Sequence, residues 1–158
     1  MKFADFVCFD AIILELQAKD RDGVIAELVA ALDKAGRLPH EKCQDIVRAV
    51  IERENEASTG MGKGIAVPHV KHQAVENVVA AIGQTGTGVD FSALDKQPVY
   101  SVILLVSPAD DPDTHLQAME NIFKHLQQDR FRRFLRQSQT VEQVRDLLHE
   151  VDENPSFL

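Results

Sequence analysis

Cysteine is scarce: this chain of 158 residues has two, Cys8 and Cys43, and neither sits in a C-x-x-C or other ligand spacing. That argues against a disulfide framework or a thiolate metal site and leads us to expect a reduced, cytoplasmic chain. Long apolar runs are absent too. None approaches the roughly 20 residues that a membrane helix needs, so direct membrane insertion is not expected. The N-terminus MKFADFVCFD mixes acids into its apolar residues and has no small-residue cleavage site, so it is not expected to be a signal peptide. Positive charge is short: 17 Lys and Arg face 25 Asp and Glu, a formal net charge of −8. This excludes generic nucleic-acid binding and leaves room for a basic protein partner. No linker, low-complexity tract or fixed-period repeat divides the chain. Its length suits one domain with a genuine core, so we expect a single domain over 1–158 with its core at about 12–148.

What is present reads as helix, strand and helix in turn. Ile12, Leu14 and Leu16 alternate with Ile13, Glu15 and Gln17, which predicts a short strand. Val24, Ile25, Leu28, Val29 and Leu32 recur at helical spacing, with Asp20 or Asp22 as cap and Gly36 as stop. Pro39 is placed as the first residue of a second helix carrying Cys43, Ile46, Val47, Val50 and Ile51 and ending near Arg53. After His72 the pattern changes to strand: Val78–Ile82 is a compact apolar run, after which Gly83, Gly86 and Gly88 predict a turn. PVYSVILLVSP, bounded by prolines and rich in β-branched residues, predicts a central buried strand. Three helical stretches follow: Leu116, Met119, Phe123 and Leu126 form one apolar face, Phe131, Phe134 and Leu135 a second, and Thr140 caps a last helix with Val141, Val144, Leu147 and Leu148. The order predicts one α/β layered domain, helices against a mixed sheet.

The stretch STGMGKGIAVPHVKH, residues 58–72, concentrates backbone control. Gly60, Gly62 and Gly64 alternate, and Pro68 fixes the chain directly before His69. A P-loop would need glycine where Ala57 stands and Ser or Thr where Gly64 stands, and the dinucleotide fingerprint would need a preceding strand. Neither is met, and each glycine taken alone reads as a turn former. His69 and His72 have a spacing that suits metal on a helix, but Pro68 argues against a helix and no Cys, Asp or Glu completes a ligand set. No G-x-S-x-G elbow supports serine hydrolysis.

A histidine nucleophile remains. Near neutral pH much of an imidazole is neutral, and one nitrogen can carry a phosphoryl group while a backbone carbonyl holds the other N–H. Glycine N–H groups nearby could solvate the phosphate. His115 follows Asp113 and Thr114, either of which would begin a helix whose N-terminus suits a phosphate. A solvated surface histidine is an equal reading of it. Asp110, Asp111 and Asp113 are expected to keep His115 protonated. Arg53 is either a surface charge or a planar cation aimed at the phosphate. His40, His125 and His149 are expected on solvent-facing helix surfaces, as are Arg130, Arg132, Arg133 and Arg136.

EREN-EASTGMGKGIAVPHVKH, then TGVDFSALDKQPVYSVILLVSP, then HLQAMENIFKHL together resemble enzyme IIA of the phosphotransferase system, in the fructose, mannitol and nitrogen-regulatory superfamily. The likeness runs from about Ile12 to Leu148, with Arg-Glu, Ser-Thr-Gly-x-Gly, Pro-His and His-Leu in the family's order. It implies a mixed sheet flanked by helices. It implies a phosphotransferase component in which His69 accepts a phosphoryl group from HPr, or an HPr-like carrier, as a phosphohistidine. His115 matches the second active-site histidine and Arg53 the assisting arginine, while Ser58, Thr59 and Gly60 match the turn at the phosphate's edge. No cofactor or metal is implied. The group is then read by a regulatory protein, as in the nitrogen-regulatory type, or passed to a IIB domain, as in sugar uptake. The absence of a fused IIB or carrier domain in this sequence favours the regulatory expectation. A protein-binding module whose histidine takes no phosphate is the third.

Overall fold

The apolar run Val99–Pro108 forms β6, the strand around which the sheet is arranged. The structure is a computed structural model and describes residues 1–154; positions 155–158 of the expected domain lie outside the described residues. β6 pairs antiparallel with β5 (Val79–Val89) on one side. On the other it pairs parallel with β3 (Ile65–Ala66) and β4 (His69–His72). β1 (Val7–Ile13) lies parallel to β5, and β2 (Gly60–Gly62) antiparallel to β3, giving a six-stranded mixed sheet. The central buried strand is where the sequence placed it.

Helices cover both faces. On one lie α1 (Arg21–Lys34) and α2 (Cys43–Glu56), whose Val24, Ile25, Leu28, Ile46 and Val50 pack on Val102, Leu104 and Val106 of β6. On the other lie α3 (Pro112–Leu126), α4 (Asp129–Gln137) and α5 (Val141–Glu153), packed on Ile103 and Leu105. Strict alternation along β6 thus feeds two separate cores, as expected of a strand buried on both faces. No helix among the described residues is long and apolar enough to cross a membrane.

Several expectations are corrected. The first strand begins at Val7 and ends at Ile13, so Leu16 lies beyond it. Burial of Val7, Cys8, Ala11 and Ile12 on both faces blurs the alternation by which a strand is recognised. Gly83, Gly86 and Gly88 form no turn: β5 runs through them, with a register irregularity between Gln84 and Val89. Pro39 precedes a 3-10 turn at His40–Lys42, and α2 proper starts at Cys43. Leu116 is 57% exposed and Phe134 38% exposed, while Ala118 and Ile122 are buried in α3. His125 is buried against the rings of Phe3 and Phe131, at centroid distances of 5.1 and 5.7 Å. His40 and His149 are exposed as expected. In the arginine cluster Arg132 is the exception, folded back to donate to the Leu126 carbonyl at 2.6 Å.

Candidate active site

β3 and β4 form one line beside β6, broken at Val67–Pro68. Proline brings no N–H to the ladder, although its carbonyl still accepts from Leu105 N–H at 3.0 Å. The Val67 carbonyl lies in that break and is 2.8 Å from His69 Nδ1, which donates to it. This contact fixes the tautomer: the proton sits on Nδ1 and the Nε2 lone pair is available. Partial burial is the largest influence on His69 and lowers its pKa below the ordinary 6.5. The Val67 carbonyl and the Glu54 carboxylate oppose this, while the charges of Arg53 and Lys71 reinforce it.

His115 reaches the same place from α3. Asp111 caps that helix, accepting from Thr114 N–H at 3.2 Å and from the Thr114 hydroxyl at 2.6 Å. The helix therefore starts at Pro112, earlier than Asp113 or Thr114, and His115 lies at the end of its first turn. His115 is only 9% exposed, with Nδ1 2.7 Å from the hydroxyl of the fully buried Ser107. The His69 and His115 rings are 5.6 Å apart between centroids. The pKa of His115 is pushed down to about 4, by burial first and then by His69 and Lys71. This corrects the expectation that three aspartates keep it protonated. Asp111 is spent on the helix cap, and Asp110 and Asp113 are exposed to water that screens them.

Strand alternation separates His72 from this pair. His72 projects from the other face of β4, donating through Nε2 to Asp45 at 2.7 Å and accepting from Ala74 N–H at Nδ1. His69 and His72 therefore cannot chelate one ion. Among the described residues no group of three or more His, Cys, Asp and Glu is arranged to hold a metal.

The alternating glycines shape the β2–β3 hairpin whose second strand leads through Val67 and Pro68 to His69. Gly62, Lys63 and Gly64, at φ of 91, 59 and 80°, form the left-handed turn between β2 and β3. Gly60 packs so closely on Ala93 that a Cβ there would lie 2.8 Å from the alanine's own. The expected phosphate donors are engaged with Glu54 of α2, with Phe91 and with one another. Glu54, 2% exposed, accepts from Thr59 N–H at 2.6 Å and from its hydroxyl at 2.7 Å. The Ser58 hydroxyl donates to Phe91 O, and Gly60 N–H donates to the Ser58 oxygen at 2.9 Å. Val67 N–H donates to Thr59 O at 3.3 Å, which ties the loop to the carbonyl that holds His69. Arg53, in the last turn of α2, donates to Ala57 O at 3.0 Å and lies near enough to depress the His69 pKa.

His69, His115 and Arg53 thus converge electrostatically. Sequence reasoning passed over Glu54, Ser107 and Lys71. The hints were slight: a glutamate beside Arg53, a serine before Pro108 and a lysine two places after His69.

Residues 6–151 match the family model for EIIA 2 of the phosphoenolpyruvate-dependent sugar phosphotransferase system. Over 152 residues the chain is 33% identical to the fructose-specific EIIABC component of Bacillus subtilis, covering 96% of this chain but 24% of that longer protein. It is 35% identical over 135 residues to the nitrogen regulatory protein of Escherichia coli K12, covering 84% of this chain and 78% of the relative. In fold it is similar to the crystal structure of IIA-Ntr from Neisseria meningitidis, with a TM-score of 0.83 and 25% identity, covering 92% and 98% of the two chains.

Proposed function

This chain belongs to the EIIA 2 family of the phosphoenolpyruvate-dependent sugar phosphotransferase system, and from that premise we propose that it is a phosphoryl carrier working through His69. The observation that carries the reading is the His69 Nδ1–H···O Val67 bond, which presents a neutral Nε2 beside His115. Nε2 attacks the phosphorus of a phosphohistidine on HPr or an HPr-like carrier, in line. The exchange balances when the donor ring carries an N–H on its other nitrogen: the new P–N bond uses the His69 Nε2 lone pair and leaves that ring a phosphoimidazolium that keeps Nδ1–H, while the donor takes back its bonding pair and leaves as a neutral imidazole. Arg53 supplies charge to the equatorial oxygens. His115 supplies a hydrogen bond, a role that requires the tautomer in which the Ser107 hydroxyl donates to Nδ1 and the N–H sits on Nε2. Ser58, Thr59 and Gly60 shape the edge of the site. Transfer between two phosphoramidates of similar potential requires neither metal nor ATP.

Onward from His69, the phosphorylation state is read by a regulatory target, or the group passes to a IIB domain. The similarity to IIA-Ntr at TM-score 0.83 supports the regulatory type first. The test is incubation with phosphoenolpyruvate, enzyme I and HPr. The protein should gain one acid-labile phosphate, and His69→Ala should gain none. Label on the alanine variant would refute the assignment to His69, and a wild-type chain that takes no label would be a binding module instead.

A further inference from the structure

We propose that Lys71 is a further catalytic residue of this site, its ammonium binding the oxygens of the phosphoryl group as it moves to and from His69. The proposal rests on the phosphocarrier reading above and adds to it the missing half of the charge compensation.

The placement follows from the strand. In parallel register His69 lies opposite Leu105 and Lys71 opposite Ser107. Side chains two apart on a strand share a face, so His69 and Lys71 project to the same side of the sheet. That side is the one covered by α3, where Ser107 holds His115. Lys71 is exposed, and its ammonium makes no hydrogen bond or ion pair among the described residues. In a chain of net charge −8, with Asp110, Asp111 and Asp113 close in sequence to the partner strand's end, such a lysine is placed without being neutralised. Its charge also acts on both imidazoles, depressing each one's affinity for a proton.

Charge balance gives the lysine its task. A phosphoryl group brings about −1.5 to −2 charges to the site. His115 is neutral there and offers a hydrogen bond but no charge. The cations within electrostatic reach of His69 are Arg53 and Lys71, and Arg53 already donates to the Ala57 carbonyl. A flexible, unpaired ammonium is well suited to follow a phosphoryl group between two nitrogens, binding it as a point charge.

The test compares wild type, Lys71→Met and Lys71→Arg in single-turnover transfer from purified phospho-HPr by rapid quench, with the saturating transfer rate and the half-saturating phospho-HPr concentration separated. Contact with the moving phosphoryl group predicts a saturating transfer rate lowered roughly tenfold or more in Lys71→Met and largely restored in Lys71→Arg, a smaller factor than the about 10²–10³ of a fully preorganised donor because the ammonium is flexible. An unchanged saturating rate, or a change confined to the half-saturating concentration, would overturn the proposal and leave Lys71 a docking charge. A second arm needs no phosphotransfer. Titration of unphosphorylated protein by NMR should show the His69 and His115 pKa values rising in Lys71→Met, and no movement at either ring would overturn the placement. Failure of the wild type to take phosphate would reject the carrier reading itself, and the NMR arm would still decide whether Lys71 faces the histidines.

Discussion

Burial keeps His69 and His115 below the ordinary imidazole pKa, and two consequences can be measured. Transfer requires a neutral His69, so its rate should be flat above pH 7 and decline on the acid side only below about 6.5. A rate that rises through that acid range would contradict a neutral nucleophile. Stability should follow the same sign. The unfolded chain takes up a proton on His115 near pH 6.5, whereas the folded chain does so at about 4. Between those values the unfolded state holds more protons, so stability is full above pH 6.5, falls as pH drops towards 4 and then levels for this group. Its share is at most about 3 kcal/mol, and His115→Asn should flatten that part of a urea-midpoint profile. At this scale the sequence was most legible where the backbone was controlled: glycines, a proline and the histidine after it pointed to His69. It was least legible where a role depends on neighbours distant in the chain. Ser107 and Glu54 are ordinary residues until His115 and Thr59 lie against them. The aspartates misled because closeness along the chain says nothing about where a carboxylate is aimed.

Elements were read best where local chemistry marks their ends. Asp20 caps α1 by accepting from Gly23 N–H, Thr140 caps α5 by accepting from Gln143 N–H, and Gly36 closes α1 at φ 74°. The second half of β5 was missed because glycines mark turns in most contexts, yet here they continue the strand begun by Val79–Ile82, past a register irregularity. The start of α3 was misplaced by one or two residues, and that error matters to function because the cap orients His115. Asp111 holds both the amide and the hydroxyl of Thr114. Asp111→Ala should cost about 1 kcal/mol of stability. It should also loosen the first turn that carries His115, so slower transfer with label still taken up at His69 is expected. Asp113→Ala is the control: exposed and outside the cap, it should leave both stability and transfer near wild type. Equal effects from the two variants would remove the cap from the account of His115.

Across the whole molecule, the ends of the described chain are joined by contacts that sequence patterns do not announce. Asp152, 8% exposed near the end of α5, accepts from Phe3 N–H at 2.7 Å and from Ala4 N–H at 2.9 Å. Phe3 in turn stacks on Phe131 at 5.7 Å and touches His125, so one carboxylate anchors an aromatic cluster drawn from both ends. Phe3 and Asp152 both fall just outside the 6–151 that match the family model. The expected core of 12–148 left them out too, because a buried carboxylate gives no periodic signal. The exposed Lys2–Glu153 pair, at 3.9 Å, adds little beside it. Removing a partner from buried N–H groups costs about 1–3 kcal/mol. Asp152→Ala should therefore lower unfolding stability by about 2–4 kcal/mol and Asp152→Asn, which keeps one acceptor, by less. The turn that Asp152 ties leads into β1, and β1 and the β4 that carries His69 are three strand spacings apart across the sheet, about 14 Å. At that separation effects are largely independent, so transfer from phospho-HPr should proceed at the wild-type rate in both variants while they remain folded. A urea midpoint unchanged in Asp152→Ala would show that the tie contributes nothing. A slowed transfer at an unchanged midpoint would instead mean that the end-to-end contact acts on the histidine pair through the sheet.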